Sequence, residues 1–270
     1  MSSPAYRQMA AELRAAIEDG TYPAGGTLPK IIDLAQQYGV AKQTAREAVT
    51  ELEAEGLVDV TRRRGTVVRA QPVRRHLTRG RQVLRDERGY YFDASAQPWV
   101  ALEPPTVAWA PAPRDIAVLL GLPEGEEQED VLVRDRVMGE ATTGDPLQLA
   151  TSYLPASLAR GTRLAQQDTG PGGIYDLLEQ MGHAPLSWEE AVSARMPTPT
   201  ESDRLRLPKG VPLLRITRTT TGPGGIVLEI NDTRMSADIF DIGYPLVRHP
   251  SAQLPWPAPG GPSGVRGRNP

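Results

Sequence analysis

The stretch YGVAKQTAREAV, residues 38–49, limits most tightly what this chain can fold into. Gly39 supplies a tight turn, and the helix that follows turns the small residues Ala45 and Ala48 to one side. Small inner residues let two helices approach closely, while Lys42, Gln43, Thr44 and Arg46 stand on the outer side. A helix-turn-helix has this pattern: its second helix lies in a major groove with its first turns toward the base edges. Arg or Lys to guanine and Gln to adenine are the usual pairings there. The bland alternative is a small helical domain with a solvated polar face.

The flanking sequence favours the DNA reading. Tyr6, Met9, Ala10, Leu13 and Ile17 recur at helical spacing and end at Gly20. Ile31, Leu34, Ala35 and Tyr38 give a second short helix after a Pro- and Gly-rich loop. The third helix, Ala41–Glu55, stops before Gly56, where a C-cap glycine belongs. LVDV and TVVR are β-prone runs joined by TRRRG, which predicts a two-stranded wing. Arg62, Arg63, Arg64 and Gly65 at its tip would lie on phosphates or enter the minor groove.

Charge is distributed accordingly. Residues 1–88 hold 15 Lys and Arg against 11 Asp and Glu, a net of +4, whereas the remainder holds 15 against 22, a net of −7. An acidic protein with one basic end implies a polyanion for that end alone. No run nears the ~18 apolar residues of a membrane span, and cysteine is absent, so neither disulfides nor thiolate chemistry enters. The expectation is a cytoplasmic protein without a membrane partner.

Residues 71–88 carry many arginines and little apolar periodicity, which predicts a linker. Beyond it VLVRDRVM, LQLATSYL, LSWEEAVSAR, PLLRITRTTT and IVLEINDTRM read as strands. RDIAVLLG, GIYDLLEQMG and TESDRLRL read as helices. Leu122-Pro-Glu-Gly125 before LVRDR matches Leu207-Pro-Lys-Gly210 before LLRITR, a weak internal repeat. Two related halves forming a mixed sheet with helices packed on it make the fold class α+β. The boundaries are then a winged helix-turn-helix over 1–70, a linker over 71–88, a second domain over 89–248 and a disordered, Pro- and Gly-rich tail over 249–270.

In the second domain Arg134 and Arg136 flank Asp135 on a predicted strand and so share a face. Two guanidiniums on one face can clamp a phosphate or carboxylate. The helix starting near Gly172-Gly173 would add backbone N–H groups, and Glu229 would accept from a ligand hydroxyl or amine. Equally open is that Arg134 and Arg136 pair with Glu229 or Glu190.

Taken together, the motifs of residues 6–68 resemble the winged helix-turn-helix of the GntR family of bacterial transcription regulators. The resemblance runs through G-x-Y-x-x-G-x-x-L-P, Y-G-V-x-x-x-T-x-R-x-A, E-G-L-V and R-G-T-V-V. It implies DNA contacts at Lys42, Thr44, Arg46 and Gly65, with Arg64 beside the wing-tip glycine. Lys30-Ile31-Ile32 replaces the family's Ser-Glu-Arg, which leaves that contact absent or passes it to Lys30. Ala41 replaces the usual Ser or Thr of the turn.

The second domain, from about Gly89 to Arg248 and through motifs such as GDPLQLATSYLP and VLEINDTRMSADIF, is similar to the UTRA effector-binding domain of the HutC-like branch. That resemblance implies a chorismate-lyase-like fold that senses a small molecule rather than converting it. It also implies effector contacts from Arg134, Arg136, Gly173, Tyr175 and Glu229. Ala150, Gly173 and Met235-Ser236 stand where the family carries polar ligands, which puts a phosphosugar in doubt.

His76, His183 and His249 lack metal partners at useful spacing, so neither metal nor cofactor is expected. The reading is a regulator, a homodimeric repressor bound to double-stranded operator DNA and modulated by a small anionic effector. Two alternatives remain: a DNA-binding protein whose second domain only dimerises, and a small-molecule lyase or hydrolase.

Overall fold

The computed structural model describes residues 4–70, 72–80, 82–87, 89–92, 99–123 and 129–252. The expected tail falls largely on 253–270, outside them.

The head is built as its periodicity predicts. Helix α1 (Ala5–Glu18), α2 (Ile31–Gln37) and α3 (Lys42–Ala54) precede the hairpin of β1 (Val58–Thr61) and β2 (Gly65–Val68). Met9, Leu13, Leu34, Ala45, Ala48 and Leu52 close its core. Ala45 and Ala48 have no exposed surface, so α3 lies close on α1 and α2.

The second domain centres on an antiparallel seven-stranded sheet. Its path runs β10 (Ser187–Arg195), β11 (Leu213–Thr221), β12 (Val227–Ser236), β9 (Pro146–Leu154), β8 (Val131–Glu140) and β6 (Trp99–Ala101), with β7 (Thr106–Ala110) also on β8. The predicted runs become β8 to β12 with ends shifted by a residue or two. Helices α4 (Arg114–Leu120), α5 (Ala156–Ala159), α6 (Gly173–Leu178) and α7 (Pro199–Leu205) complete the domain.

The repeat has a structural meaning. Each copy is a helix followed by an antiparallel hairpin: α4 then β8–β9, and α7 then β11–β12. The halves join where β12 pairs with β9. Each helix crosses over, α4 packing on β12 and α7 on β9.

Alternation gives the sheet two unlike faces. One is covered by α4 and α7 over a charged layer. Arg215 meets Asp232 at 2.8 Å and Asp115 at 2.6 Å, Arg204 meets Asp135 at 2.5 Å, and Arg195 meets Glu201 at 2.6 Å. The other face carries α5 and α6 and leaves a cavity.

The segment read as a linker holds two strands. β3 (Arg75–Thr78) runs parallel to β13 (Phe240–Gly243), and β4 (Leu84–Asp86) pairs with β5 (Gly89–Tyr91). Its arginines conceal this: Leu77 is buried with Phe240, while Arg75 pairs with Glu140 at 2.5 Å. A strand with one inward residue carries no visible periodicity.

The head docks on the second domain at its C-terminal side. Arg69 Nη1 donates to the Gly56 carbonyl at 2.6 Å, and Nη2 pairs with Asp238 at 2.6 Å. Gly210, at φ +76, lies so near α3 that a Cβ there would stand 2.5 Å from the Ala54 carbonyl oxygen.

Candidate functional site

The first candidate surface is the outer face of α3 with the wing. Lys42, Gln43 and Arg46 are exposed and Thr44 is half-buried. Ala41 caps the helix without a side-chain bond, so its side chain satisfies none of the first-turn N–H groups. Gln43 donates to Glu47 at 3.0 Å, and Arg46 Nη1 donates to Gln43 Oε1 at 3.3 Å. Gln43 thus links Arg46 and Glu47 along the outer face of α3. Lys30 is the exposed N-cap of α2. Ile32 beside it is 51% exposed, an apolar group on an otherwise polar surface. Arg62, Arg63 and Arg64 project into solvent from the wing tip. Gly65 takes φ +77, a conformation an L side chain rarely adopts.

The second candidate is the cavity on the α6 side of the sheet, of about 320 Å³. Arg136, Gly173, Tyr175 and Glu229 line it, so four of the five residues assigned to an effector come together. Arg134 is not among its lining. That guanidinium, 5% exposed, donates to the carbonyls of Leu164, Gln166 and Gln167 at 2.8, 2.5 and 3.0 Å. It fastens the loop before α6. The two-arginine clamp is therefore not what the structure forms, and neither arginine pairs with Glu229 or Glu190.

Glu190 instead takes Arg218 at 2.7 Å and Arg79 at 3.8 Å. Glu229 is fully buried. Its Oε2 accepts from Thr220 at 2.6 Å and from Tyr175 at 3.0 Å, and its Oε1 has no hydrogen-bond partner. Burial, then the nearby Glu229, push the Tyr175 phenol up to about 12 against the pull of Arg218. Tyr175 keeps its proton at neutral pH and serves as the donor. Burial works against the charge of Arg218, but Tyr175 and Glu190 outweigh it and raise its pKa. Burial, then Arg136, lower that of Arg134. The Gly173 N–H donates to the Gly170 carbonyl at 3.2 Å, which occupies a donor the sequence offered to an anion.

Sequence reasoning missed Arg79, Arg218, Tyr90, Phe92, Trp99 and Asn231, all on the cavity wall. Arg218 pairs across the sheet with Asn231, beside the Thr220–Glu229 pair. Its place follows once the β11–β12 register is known. Tyr90, Phe92 and Arg79 come from the supposed linker and the residues just after it, where no pattern marked them.

Among the described residues, no group of three His, Asp or Glu could hold a metal ion, and no helix is long and apolar enough to cross a membrane.

Comparison with known proteins matches a family model to each domain. The profile of bacterial regulatory proteins of the gntR family matches residues 5–68, and that of the UTRA domain matches 106–241. An uncharacterized HTH-type transcriptional regulator of Streptomyces coelicolor is 33% identical over 238 residues, covering 84% of this chain and 87% of its own. The HTH-type transcriptional repressor NagR of Bacillus subtilis is 24% identical, covering 84% and 88%. A crystal structure of a GntR-family transcriptional regulator, 28% identical, superposes with a TM-score of 0.62 over 92% of this chain and 99% of that one. The chain therefore belongs to the GntR family of bacterial transcription regulators, with a UTRA domain behind its winged helix-turn-helix.

Proposed function

We propose that the protein is a homodimeric repressor whose hold on operator DNA is set by a small anionic metabolite in the UTRA cavity. The observation that carries this reading is the cavity wall. Leu77 on β3 and Arg79 just beyond it belong to the segment that leads directly out of the head, and both line the cavity. A ligand there pulls on the connection between the two domains. It acts allosterically if it binds two head arrangements unequally, and ~1–3 kcal/mol of coupling changes occupancy several-fold to a hundredfold. Repression is supported by the relative named as a repressor.

Dimerisation through the second domain is supported by β10. It pairs along one side with β11 and lies at the end of the sheet. Residues 191–194 along it are exposed and uncharged, whereas sheet edges ordinarily carry protecting charges or prolines. An antiparallel copy about Val192 would set Glu189 against Arg195 twice. Two heads would then read a near-palindrome with half-sites about 34 Å apart.

The test is fluorescence anisotropy of the full-length protein on the DNA upstream of its own coding region, over a salt series with anionic metabolites added. Tight, salt-steep binding that one metabolite relieves is the expected outcome. Binding no tighter than the ~10⁻⁴–10⁻⁶ M of non-specific association would overturn it.

A further inference from the structure

The cavity also specifies the chemistry of its occupant, an inference that rests on reading it as the effector site. Glu229 and Arg136 on its wall each leave a buried polar atom without a partner. Glu229 Oε1 is buried with no donor, and a buried acceptor left unpaired costs about 1–3 kcal/mol. Arg136 is half-buried, its Nε has no acceptor, and no carboxylate stands within ion-pair distance among the described residues. Asn231 is already engaged, donating to Ser152 at 3.1 Å and accepting from Thr233 at 2.9 Å, and Gln148 also lines the cavity. Glu190 serves Arg218 and Arg79. The cavity therefore asks for an acid group at Arg136 and a donor at Glu229.

Those two ends are far apart. Arg136 pairs with Ala150, and Ala150 with Thr233, so Arg136 lies level with Thr233. Glu229 is four residues along β12, about 13 Å at ~3.3 Å per residue, and two strands over, about 10 Å more sideways. A ligand body must bridge what the two side chains leave open. Tyr90, Phe92, Trp99 and Tyr175 line the same cavity with Ile174 and Ala150, and Asn231 and Thr233 lie along β12 between the two ends. The whole chain has 8 Tyr, 4 Trp and 2 Phe, and four of these fourteen line this one cavity. Tyr90, Phe92 and Trp99 are half-buried and keep ring surface open. At about 320 Å³ the cavity sits near the small end of the ~300–1,000 Å³ range of ligand pockets.

We propose that the effector is a compact, flat, unsaturated monocarboxylic acid with an O–H or N–H donor at the end opposite its acid. Its carboxylate lies on Arg136, its body among the aromatic rings, and its donor on Glu229 Oε1. A planar guanidinium matches a carboxylate bidentately. A phosphoryl group, with three oxygens to satisfy, would find no second unengaged cation beside it among the described residues.

Titration calorimetry of the full-length protein tests this with 4-hydroxybenzoate, 4-hydroxyphenylacetate and 4-hydroxycinnamate, which differ in length. The three acids lacking the hydroxyl and glucose 6-phosphate serve as comparisons. At least one hydroxy acid is expected to bind ~10-fold or more tightly than its unhydroxylated partner and more tightly than glucose 6-phosphate. Arg136→Gln is expected to weaken it ~10-fold or more. The ligand pair probes the Glu229 contact without altering the protein, so no folding defect can imitate the result. Tighter binding of glucose 6-phosphate, silence of all three hydroxy acids, or indifference to the hydroxyl would overturn the proposal. Operator binding measured on the same preparation separates the two readings. DNA released by another small molecule while the hydroxy acids stay silent removes the ligand class and leaves the regulator standing. Hydroxy-acid binding without operator binding does the reverse.

Discussion

Arg134 and Arg136 lie two residues apart on one face of β8 and behave as different groups. Arg134 supplies donors to three carbonyls of one loop, while Arg136 opens onto the cavity. Removing a donor from buried acceptors costs about 1–3 kcal/mol for each group left unmet. Arg134→Ala should thus lower stability by at least ~2 kcal/mol, read as a fall in the urea midpoint, whereas Arg136→Ala should leave the midpoint nearly in place. Equal effects would mean the two arginines share one role. On the head, Arg46→Ala should cost about 1–3 kcal/mol of discrimination if the guanidinium reads a guanine; unchanged preference among operator variants excludes that contact. Single residues were legible here to an uneven degree. Periodicity placed Lys42, Gln43 and Arg46 outward, because a helix face follows from local spacing. The partner of a strand arginine depends on which distant loop folds over it, and no local pattern encodes that.

At the scale of elements, the wing and α7 each carry a measurable consequence. The wing tip presents Arg62, Arg63 and Arg64 to solvent, so replacing Arg62 and Arg63 by Ala should weaken binding to all sequences. The log–log salt slope should flatten by ~0.9 for each phosphate the wing no longer neutralises. A slope equal to that of the parent protein would place the wing off the backbone. Helix α7 begins with a capping box between Thr198 and Glu201, and Glu201 also binds Arg195. Burial works to raise the Glu201 carboxyl, but the Arg195 guanidinium and the Thr198 backbone N–H hold it down at about 2 against an ordinary 4.5. The folded value is the depressed one, so this stabilisation is full above about 4.5 and is lost as pH falls toward about 2. Glu201→Gln should lower the melting temperature at neutral pH and flatten its decline across that acid window. An unchanged acid limb would remove Glu201 from the account. The long strands and the head helices were readable because each repeats its pattern several times. β3, β4, β6 and β13 are three or four residues long and too brief to show a period, which is why two of them passed as linker.

Over the whole molecule, the head is held to the second domain by Arg69 with Asp238, by Lys209 with Glu53 at 3.2 Å, and by the close pass of Gly210 beneath α3. Asp238→Ala leaves Arg69 without its carboxylate. Faster amide exchange is then expected through the β1–β2 hairpin, read by mass spectrometry; exchange identical to the parent protein would show that this ion pair does not fasten the head. The crossed helices α4 and α7 bear on how the chain is made. Leu154 ends β9 and Val227 begins β12, so β9 receives its second neighbour strand only when β12 arrives, and α4, which packs on Val131 and Tyr153 of its own half, meets Ile230 only then. A ribosome adding about 5–20 residues per second leaves the first hairpin exposed on one side for several seconds after it emerges. The head can finish folding in that interval, but the UTRA sheet behind it stays incomplete until β12, nearly its last strand, is synthesised.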